Sequence, residues 1–393
     1  MRWDKVKLMS LCDRVISGGT PKSDEASYYT DGTIPWLRTQ EVTFNRIYDT
    51  DIKINENGLN NSNAKWVKEN SVIVAMYGNS AGRTAIAKIP LTTNQACCNL
   101  EINPNKADYN FIYYKLLSEF EALKGLSKGA AQNNLNANDV KEFPIALPIL
   151  PTQRKIANIL SAYDDLIENN LKRIKLLEEK AFLMYKGIVR EEKELKKVPL
   201  AQLATVTSSK RIFLSDYVEE GIPFYRSKEI ITKSNFESIE KPLYITDERY
   251  TDIKEKFGVP VSGDLLITSV GTIGFVHLVN DDDCDFYFKD GNLIWIKNLN
   301  KQNLAYFLFF KFRTPEFKEM LNSVAIGSSQ KALTIETVKK IEIEIPGDDS
   351  LIEFNQETKT IIKFIYNLQK QNSKLREARD ILLPRLMNGQ IEV

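Results

Sequence analysis

Two sets of polar side chains, one in each half of the sequence, are the residues whose types could do chemistry. The first set is Thr20, Lys22, Arg38, Gln40, Tyr77, Asn79, Arg83, Gln132 and Asn133. The second is Lys210, Arg211, Arg226, Lys228, Ser269, Thr272, Gln330 and Lys331. Arg and Lys can fork onto guanine edges, Asn and Gln onto adenine, and Ser, Thr and Lys onto phosphates. Other readings stay open for some of them. Gln132 and Gln330 can cap a helix or brace a loop instead. Arg38 and Arg226 each stand three residues before a glutamate, Glu41 and Glu229, so each can sit in an internal ion pair. No single residue is decisive, and recurrence in both halves is what raises the set.

Catalytic patterns are missing from the sequence. The lone histidine, His277, reads as a packing or hydrogen-bonding residue rather than a metal ligand. No phosphate-binding Gly-x-x-x-x-Gly-Lys-Ser/Thr loop occurs. The Gly78–Gly82 stretch lies between two expected strands, whereas a dinucleotide fingerprint opens a helix. Asp281-Asp282-Asp283 lacks the spaced oxygen ligands of a calcium loop and reads as a solvated turn. Glu178-Glu179-Lys180 reads as exposed charge. With one histidine and no matching neighbours, no nucleophilic triad can be built. The sequence argues for a binding protein, not a catalyst.

The elements that must position these residues are themselves repeated. Ile34-Pro35-Trp36-Leu37-Arg38 is echoed by Ile222-Pro223-Phe224-Tyr225-Arg226. Gly129-Ala130-Ala131-Gln132-Asn133-Asn134-Leu135 is echoed by Gly327-Ser328-Ser329-Gln330-Lys331-Ala332-Leu333. The period is roughly 190–200 residues, far beyond the ~20–50 of a solenoid, so a whole domain has been duplicated. Each half carries an apolar run broken by glycines and then resumed: Ser71 to Tyr77 and Thr84 to Ile89, then Asp264 to Val270 and Phe275 to Val279. These predict hairpins. Helical spacing follows over Asp108 to Phe120 and Leu304 to Leu321, which makes each half a mixed α/β unit.

Each half closes on a long helical pattern. Leu160, Tyr163, Ile167, Asn170, Ile174, Leu177, Ala181, Met184 and Ile188 alternate steps of three and four. Ile361, Ile365, Leu368, Asn372, Leu375, Arg379, Leu382 and Leu386 do the same. Such seams need a partner, and the nearest is the other one. Facing Asn170 with Asn372 in antiparallel register sets Ile174 on Leu368, Leu177 on Ile365, Ala181 on Ile361 and Ile167 on Leu375. Tyr163 would then meet Arg379 in a stack. A buried asparagine pair lowers stability but fixes register.

Composition bounds the rest. With 393 residues, 43% hydrophobic, the chain can build two or three cored domains. A net charge of +1 rules out a wholesale basic coat, so any nucleic-acid surface is local. Cys12, Cys97, Cys98 and Cys284 form no Cys-x-x-Cys motif, which favours a reducing compartment. The N-terminus lacks a signal-peptide core and no run of ~18 apolar residues occurs, so a cytoplasmic protein without a membrane span is expected.

Together these residues resemble the specificity subunit of a type I restriction–modification enzyme. The motifs that carry the likeness are Ile16-Ser17-Gly18-Gly19-Thr20-Pro21, Ile34-Pro35-Trp36-Leu37, Pro148 to Ala157, Ile174 to Lys180 and Leu375 to Gly389. Two departures stand out. Val206-Thr207-Ser208-Ser209-Lys210 replaces the Ser-Gly-Gly-Thr-Pro turn in the second half, and Asp348 to Gln356 lacks the Leu-Pro-x-x-Gln helix opening. The resemblance implies an α+β fold: two duplicated mixed α/β target recognition domains, with two long helices forming an antiparallel coiled coil. The expected division is a first recognition domain at 1–148, a central helix at 149–195, a second recognition domain at 196–348 and a C-terminal helix at 349–393. Each recognition domain would read one half of a split double-stranded DNA target, with the helices as ruler. Two adenine-methylating modification subunits and the restriction subunits would dock on it. This chain would bind no cofactor, and S-adenosylmethionine, ATP and magnesium would belong to those partners. Rival expectations are the DNA-reading subunit of a related two-part system with fused nuclease and methylase, and a bivalent protein-binding scaffold.

Overall fold

The computed structural model describes residues 3–127, 134–192, 194–237, 239, 241–301, 303–327 and 330–393. The chain forms two compact units, 1–166 with 375–393 and 167–374. Each unit is thus a mixed α/β body plus a share of both long helices.

In the first unit the apolar run becomes β2 (Val72–Ala75), entered after β1 (Ile34–Leu37). The chain continues into β3 (Thr84–Ala87), β4 (Leu91–Thr93) and β5 (Cys97–Ile102). Every side chain of β2 is buried, as a continuous Val-Ile-Val-Ala run in mid-sheet requires. A five-stranded sheet runs in the order Cys12–Ser17, β5, β2, β3, Asn45–Ile47. A second, four-stranded sheet runs Ile52–Ile54, β1, β4, Trp66–Val67, with β1 and β4 parallel. The expected hairpin is the antiparallel β2–β3 pair. Helix α1 (Tyr109–Ser118) follows, its first turn capped by Asp108, which accepts from Phe111 N at 3.0 Å. The Gly18-Gly19 turn is dictated by close approach: a Cβ on Gly18 would lie 2.0 Å from Thr93 O. The chain then runs into the long helix α2 (Leu150–Glu191).

The second unit repeats this plan. Strand β6 (Ile222–Tyr225) leads into α3 (Ser227–Ser234), then β7 (Leu265–Thr268), β8 (Val276–Leu278), β9 (Tyr287–Phe288) and β10 (Leu293–Lys297). One four-stranded sheet runs Thr205–Thr207, β10, β7, β8, and the other runs Tyr217–Val218, Leu243–Ile245, β6, β9. Here β6 and β9 are parallel, as β1 and β4 are in the first unit. Helix α4 (Leu304–Arg313) ends earlier than the apolar spacing predicts. Pro315 cannot continue a helix interior, so a new helix (Pro315–Val324) starts there, capped by Thr314. The last element is the long helix α5 (Asp348–Met387). Its start is intact despite the departure from the Leu-Pro-x-x-Gln opening, with Asp348 and Asp349 in its first turn against the helix dipole.

The ends of each domain body are also paired. Asp4–Lys7 runs antiparallel to Pro144–Leu147, and Lys196–Pro199 runs antiparallel to Glu342–Ile345.

The asparagine pair on which the predicted register rests is formed. In the second unit Asn170 Nδ2 donates to Asn372 Oδ1 at 2.9 Å, and both residues are buried. At the other end of the pair Ser350 Oγ of α5 donates to Glu192, just past α2, at 3.0 Å, so the helices run antiparallel there, with Ile174, Ala181 and Tyr185 sharing a core with Phe354, Ile361, Ile365 and Leu368. In the first unit Ile156, Ala157 and Leu160 share a core with Leu383, Leu386 and Met387. One layer differs from expectation. Arg379 does not stack on Tyr163; its Nη1 donates to Asp164 Oδ1 at 2.5 Å. A carboxylate one residue away offers a charge-assisted hydrogen bond, which outweighs a cation–ring contact.

Two charge readings are also corrected. Asp283 is not solvated: Lys233 Nζ lies 2.5 Å from its Oδ1, and His277 Nε2 lies 3.0 Å from its Oδ2. Only Asp281 and Asp282 of that turn are exposed. Glu178 is not free surface charge, because Arg313 donates to its carboxylate. In both cases a lysine or arginine distant in sequence, Lys233 or Arg313, makes the pair, and local patterning does not show it.

Candidate nucleic-acid interface

The predicted polar residues of the first unit cluster because a short connection, Asn94 to Ala96, ties several turns together. Asn94 N donates to Leu37 O at 2.9 Å, which brings the end of β1 and Arg38 to it. Met76 N donates to Ala96 O at 2.8 Å, which brings the turn beginning at Tyr77. Gly19 N donates to Thr93 O at 2.9 Å, and the Thr20 hydroxyl hydrogen-bonds to the Gln95 side chain. Leu135 N donates to Met76 O at 2.8 Å, and Tyr77 bridges Asn134, so Asn134 and Leu135 also join there. Thr20, Gln40, Tyr77 and Asn79 are exposed on this rim, and Arg38 and Arg83 are half-buried. Lys22 is exposed one residue beyond Pro21. Gln132 and Asn133 lie outside the described residues.

The second unit builds the same cluster. Its connection is Lys289 to Asn292. Lys289 N donates to Tyr225 O at 2.9 Å, and Ser269 N donates to Asn292 O at 2.9 Å. Leu333 N donates to Ser269 O at 2.8 Å and Gly271 N to Lys331 O at 3.1 Å, so the Gln330–Lys331 loop abuts the Ser269–Thr272 turn. Gly271 holds φ +74, a left-handed value that the turn demands of glycine. Lys210 joins through its backbone N–H, 2.7 Å from the Tyr287 hydroxyl, and Arg211 through its Nε, 3.5 Å from Asp290. Lys228, Thr272, Gln330 and Lys331 are exposed, whereas Ser269 is buried with its hydroxyl on Gly291 O at 3.4 Å.

The two arginines of the repeated strand are held internally. Arg226 donates through Nη2 and Nε to the two carboxylate oxygens of Glu229, at 2.8 and 3.2 Å. Its backbone N–H also donates to Glu229 at 2.8 Å. The pair raises the Arg226 pKa; burial acts to raise that of Glu229, but the Arg226 contacts outweigh it and lower it. Arg38 Nη2 lies 3.4 Å from Asp51 and its Nε 3.7 Å from Glu41. The internal ion-pair reading is therefore realised at both positions, and each guanidinium is anchored at the rim.

Sequence reasoning overlooked the connecting segments, including exposed Gln95 and Lys289. The Asp290-Gly291 turn was a usable signal for the second. Among the described residues, no group of three or more His, Cys, Asp or Glu side chains is placed to hold a metal ion. Nor is any described helix long and apolar enough to cross a membrane. Burial lowers the His277 pKa, against the pull of Asp283. Burial alone would raise the Asp283 pKa, but His277 and Lys233 hold it well below the carboxylate range. The trio is an internal brace.

A sequence model of the type I restriction modification DNA specificity domain matches residues 1–179 and 192–382. The type I restriction enzyme MjaIX specificity subunit of Methanocaldococcus jannaschii is 28% identical, over 100% of this chain and 94% of that protein. The MjaVIII specificity subunit of the same organism is 24% identical over 83% of this chain and 80% of its own. In fold, the chain is similar to the crystal structure of the type I restriction–modification S subunit from M. genitalium. The TM-score is 0.64 at 18% identity, covering 98% of this chain and 96% of that one.

Proposed function

Because this chain belongs to the type I restriction–modification DNA specificity family, we propose that each of its two units reads one half of a split DNA target through its rim of turns. The chain is a sequence-specificity subunit, which recognises DNA and leaves methylation and cleavage to other subunits. In the first unit the reading residues are Thr20, Gln40, Tyr77, Asn79, Arg83, Gln132 and Asn133, with Lys22 on phosphate. In the second they are Thr272, Gln330 and Lys331, with Lys210, Arg211 and Lys228 on phosphates. Arg38 and Arg226 brace the strands that present them. Two modification subunits and the restriction subunits assemble on the chain in the cytoplasm, and S-adenosylmethionine, ATP and magnesium are theirs. The helix pair sets the length of the unread gap.

The observation that carries this reading is the same constellation built twice. In each unit a hairpin turn and the end of the Ile-Pro-aromatic strand are tied to one connecting segment, and a later residue, Leu135 or Leu333, is tied to that turn. The frame is shared while the exposed side chains differ, as two readers of different half-sites require. Mapping methylated adenines in cells with and without the gene tests it: the expected result is a two-part motif with a fixed gap. In vitro, affinity should fall steeply with salt, with a log–log slope of about −0.9 per phosphate neutralised. A flat salt response with equal binding to random and cognate duplexes would refute the DNA reading.

A further inference from the structure

Asp164 and Glu178 lie two heptads apart on α2, each immediately after a seam residue (Tyr163, Leu177). Both are gripped by the body of a recognition domain. In the first unit the buried Tyr114 of α1 donates its hydroxyl to Asp164 Oδ2 at 2.5 Å, and Arg379 of α5 takes Oδ1 at 2.5 Å. The adjacent Asp165 receives Arg46 Nη1, also at 2.5 Å, from the edge strand Asn45–Ile47. Asp164 thereby joins three elements: the domain helix, α2 and α5. In the second unit Arg313, at the end of α4, donates to the Glu178 carboxylate and to Ser234 O at the end of α3. Its guanidinium lies 5.3 Å from the Phe236 ring centre and 4.9 Å from that of Phe309. Burial lowers the Arg313 pKa to about 10, which still leaves it charged at neutral pH.

Apolar packing holds each domain body on its helix, but its individual contacts are non-directional and set the angle only through shape. Charge-assisted hydrogen bonds are directional and short. We propose that Asp164 and Glu178 are positioning residues that fix the orientation of each recognition domain on the helix pair, and so restrict the gap length that the complex accepts. This rests on the split-target reading above. The family's ruler would then have two parts: helix length, and the angle at which each reader is bolted to it.

The test uses the full chain assembled with its modification subunits, and duplexes carrying both half-sites at the natural gap and at one base pair more or less. Methylation rate is measured for wild type, Asp164→Asn, Glu178→Gln and Glu178→Ala. Losing one charge-assisted contact should reduce discrimination between gap lengths by roughly tenfold. The natural-gap rate should change less than the rates at altered gaps. Glu178 is partly exposed, so its variants keep the test open if Asp164→Asn does not assemble. Assembled variants with unchanged gap discrimination would overturn the proposal, as would an equal loss of rate at every gap length, which marks a merely structural role. A wild-type complex indifferent to gap length would instead remove the split-target reading beneath it.

Discussion

Replacing the asparagine pair of the seam should make the protein more stable and less selective. Asn170 and Asn372 are 6% and 2% exposed and hydrogen-bonded at 2.9 Å. Asn372→Leu alone leaves the Asn170 amide buried without its partner, a cost of about 1–3 kcal/mol. The new leucine contributes about 1.5–3 kcal/mol of burial, so the single variant should lie between about 1.5 kcal/mol below and about 2 kcal/mol above the parent. In the double variant Asn170→Leu/Asn372→Leu no amide is orphaned and two leucines are buried. It should exceed the parent by about 2 kcal/mol, a rise in Tm of about 4–8 °C for a unit of this size. Chemical denaturation of the four proteins gives the interaction energy, expected at about 1–3 kcal/mol. The same proteins, assembled with modification subunits, are then assayed on duplexes of different gap. The double variant should methylate at more than one gap length, because leucine layers permit neighbouring registers. Additive single and double effects would refute the coupling. A stabilised double variant that keeps one gap would refute the register role.

Inserting one heptad after Asn170 and another before Asn372 adds ~10.5 Å of helix, so methylome mapping should show a gap longer by about three base pairs; an unchanged gap would contradict the ruler. Arg226→Ala leaves Glu229, 4% exposed in its side chain, without its fork. The pair is partly open to solvent, so thermal melts should show a loss of about 1–2 kcal/mol. Lys228→Ala at the exposed rim should leave the melt unchanged and reduce the salt slope by about one; a destabilised Lys228→Ala would make it structural. The His277 brace predicts acid lability. Folded His277 resists protonation while the unfolded residue titrates near 6.5, so stability falls as pH drops below that value. Asp283, held ionised in the fold, adds a further loss as pH falls below its ordinary 3.8. Tm measured across pH should therefore decline more steeply in acid for wild type than for His277→Gln.

The seam was legible because helical periodicity is local: steps of three and four, plus one asparagine in each helix, were enough to set the register. The hairpins were legible for the same reason, each being an apolar run broken by glycine. The burial of Asp283 was not, since it depends on Lys233, which reaches it from α3. Glu178 looked like ordinary helix-surface charge because its partner, Arg313, comes from another element. The connecting segments at Gln95 and Lys289 were missed because parallel pairing of β1 with β4, and of β6 with β9, places them. Parallel neighbours leave no hairpin signature in a sequence.

The paired end strands of each domain body have a genetic consequence. Asp4–Lys7 zipped to Pro144–Leu147, and Lys196–Pro199 zipped to Glu342–Ile345, make the polypeptide arrive and depart at a single place. Everything between the two strands of a clasp is therefore a cassette. A recombination event that exchanges one such segment of coding sequence replaces a whole reader while its point of attachment stays the same.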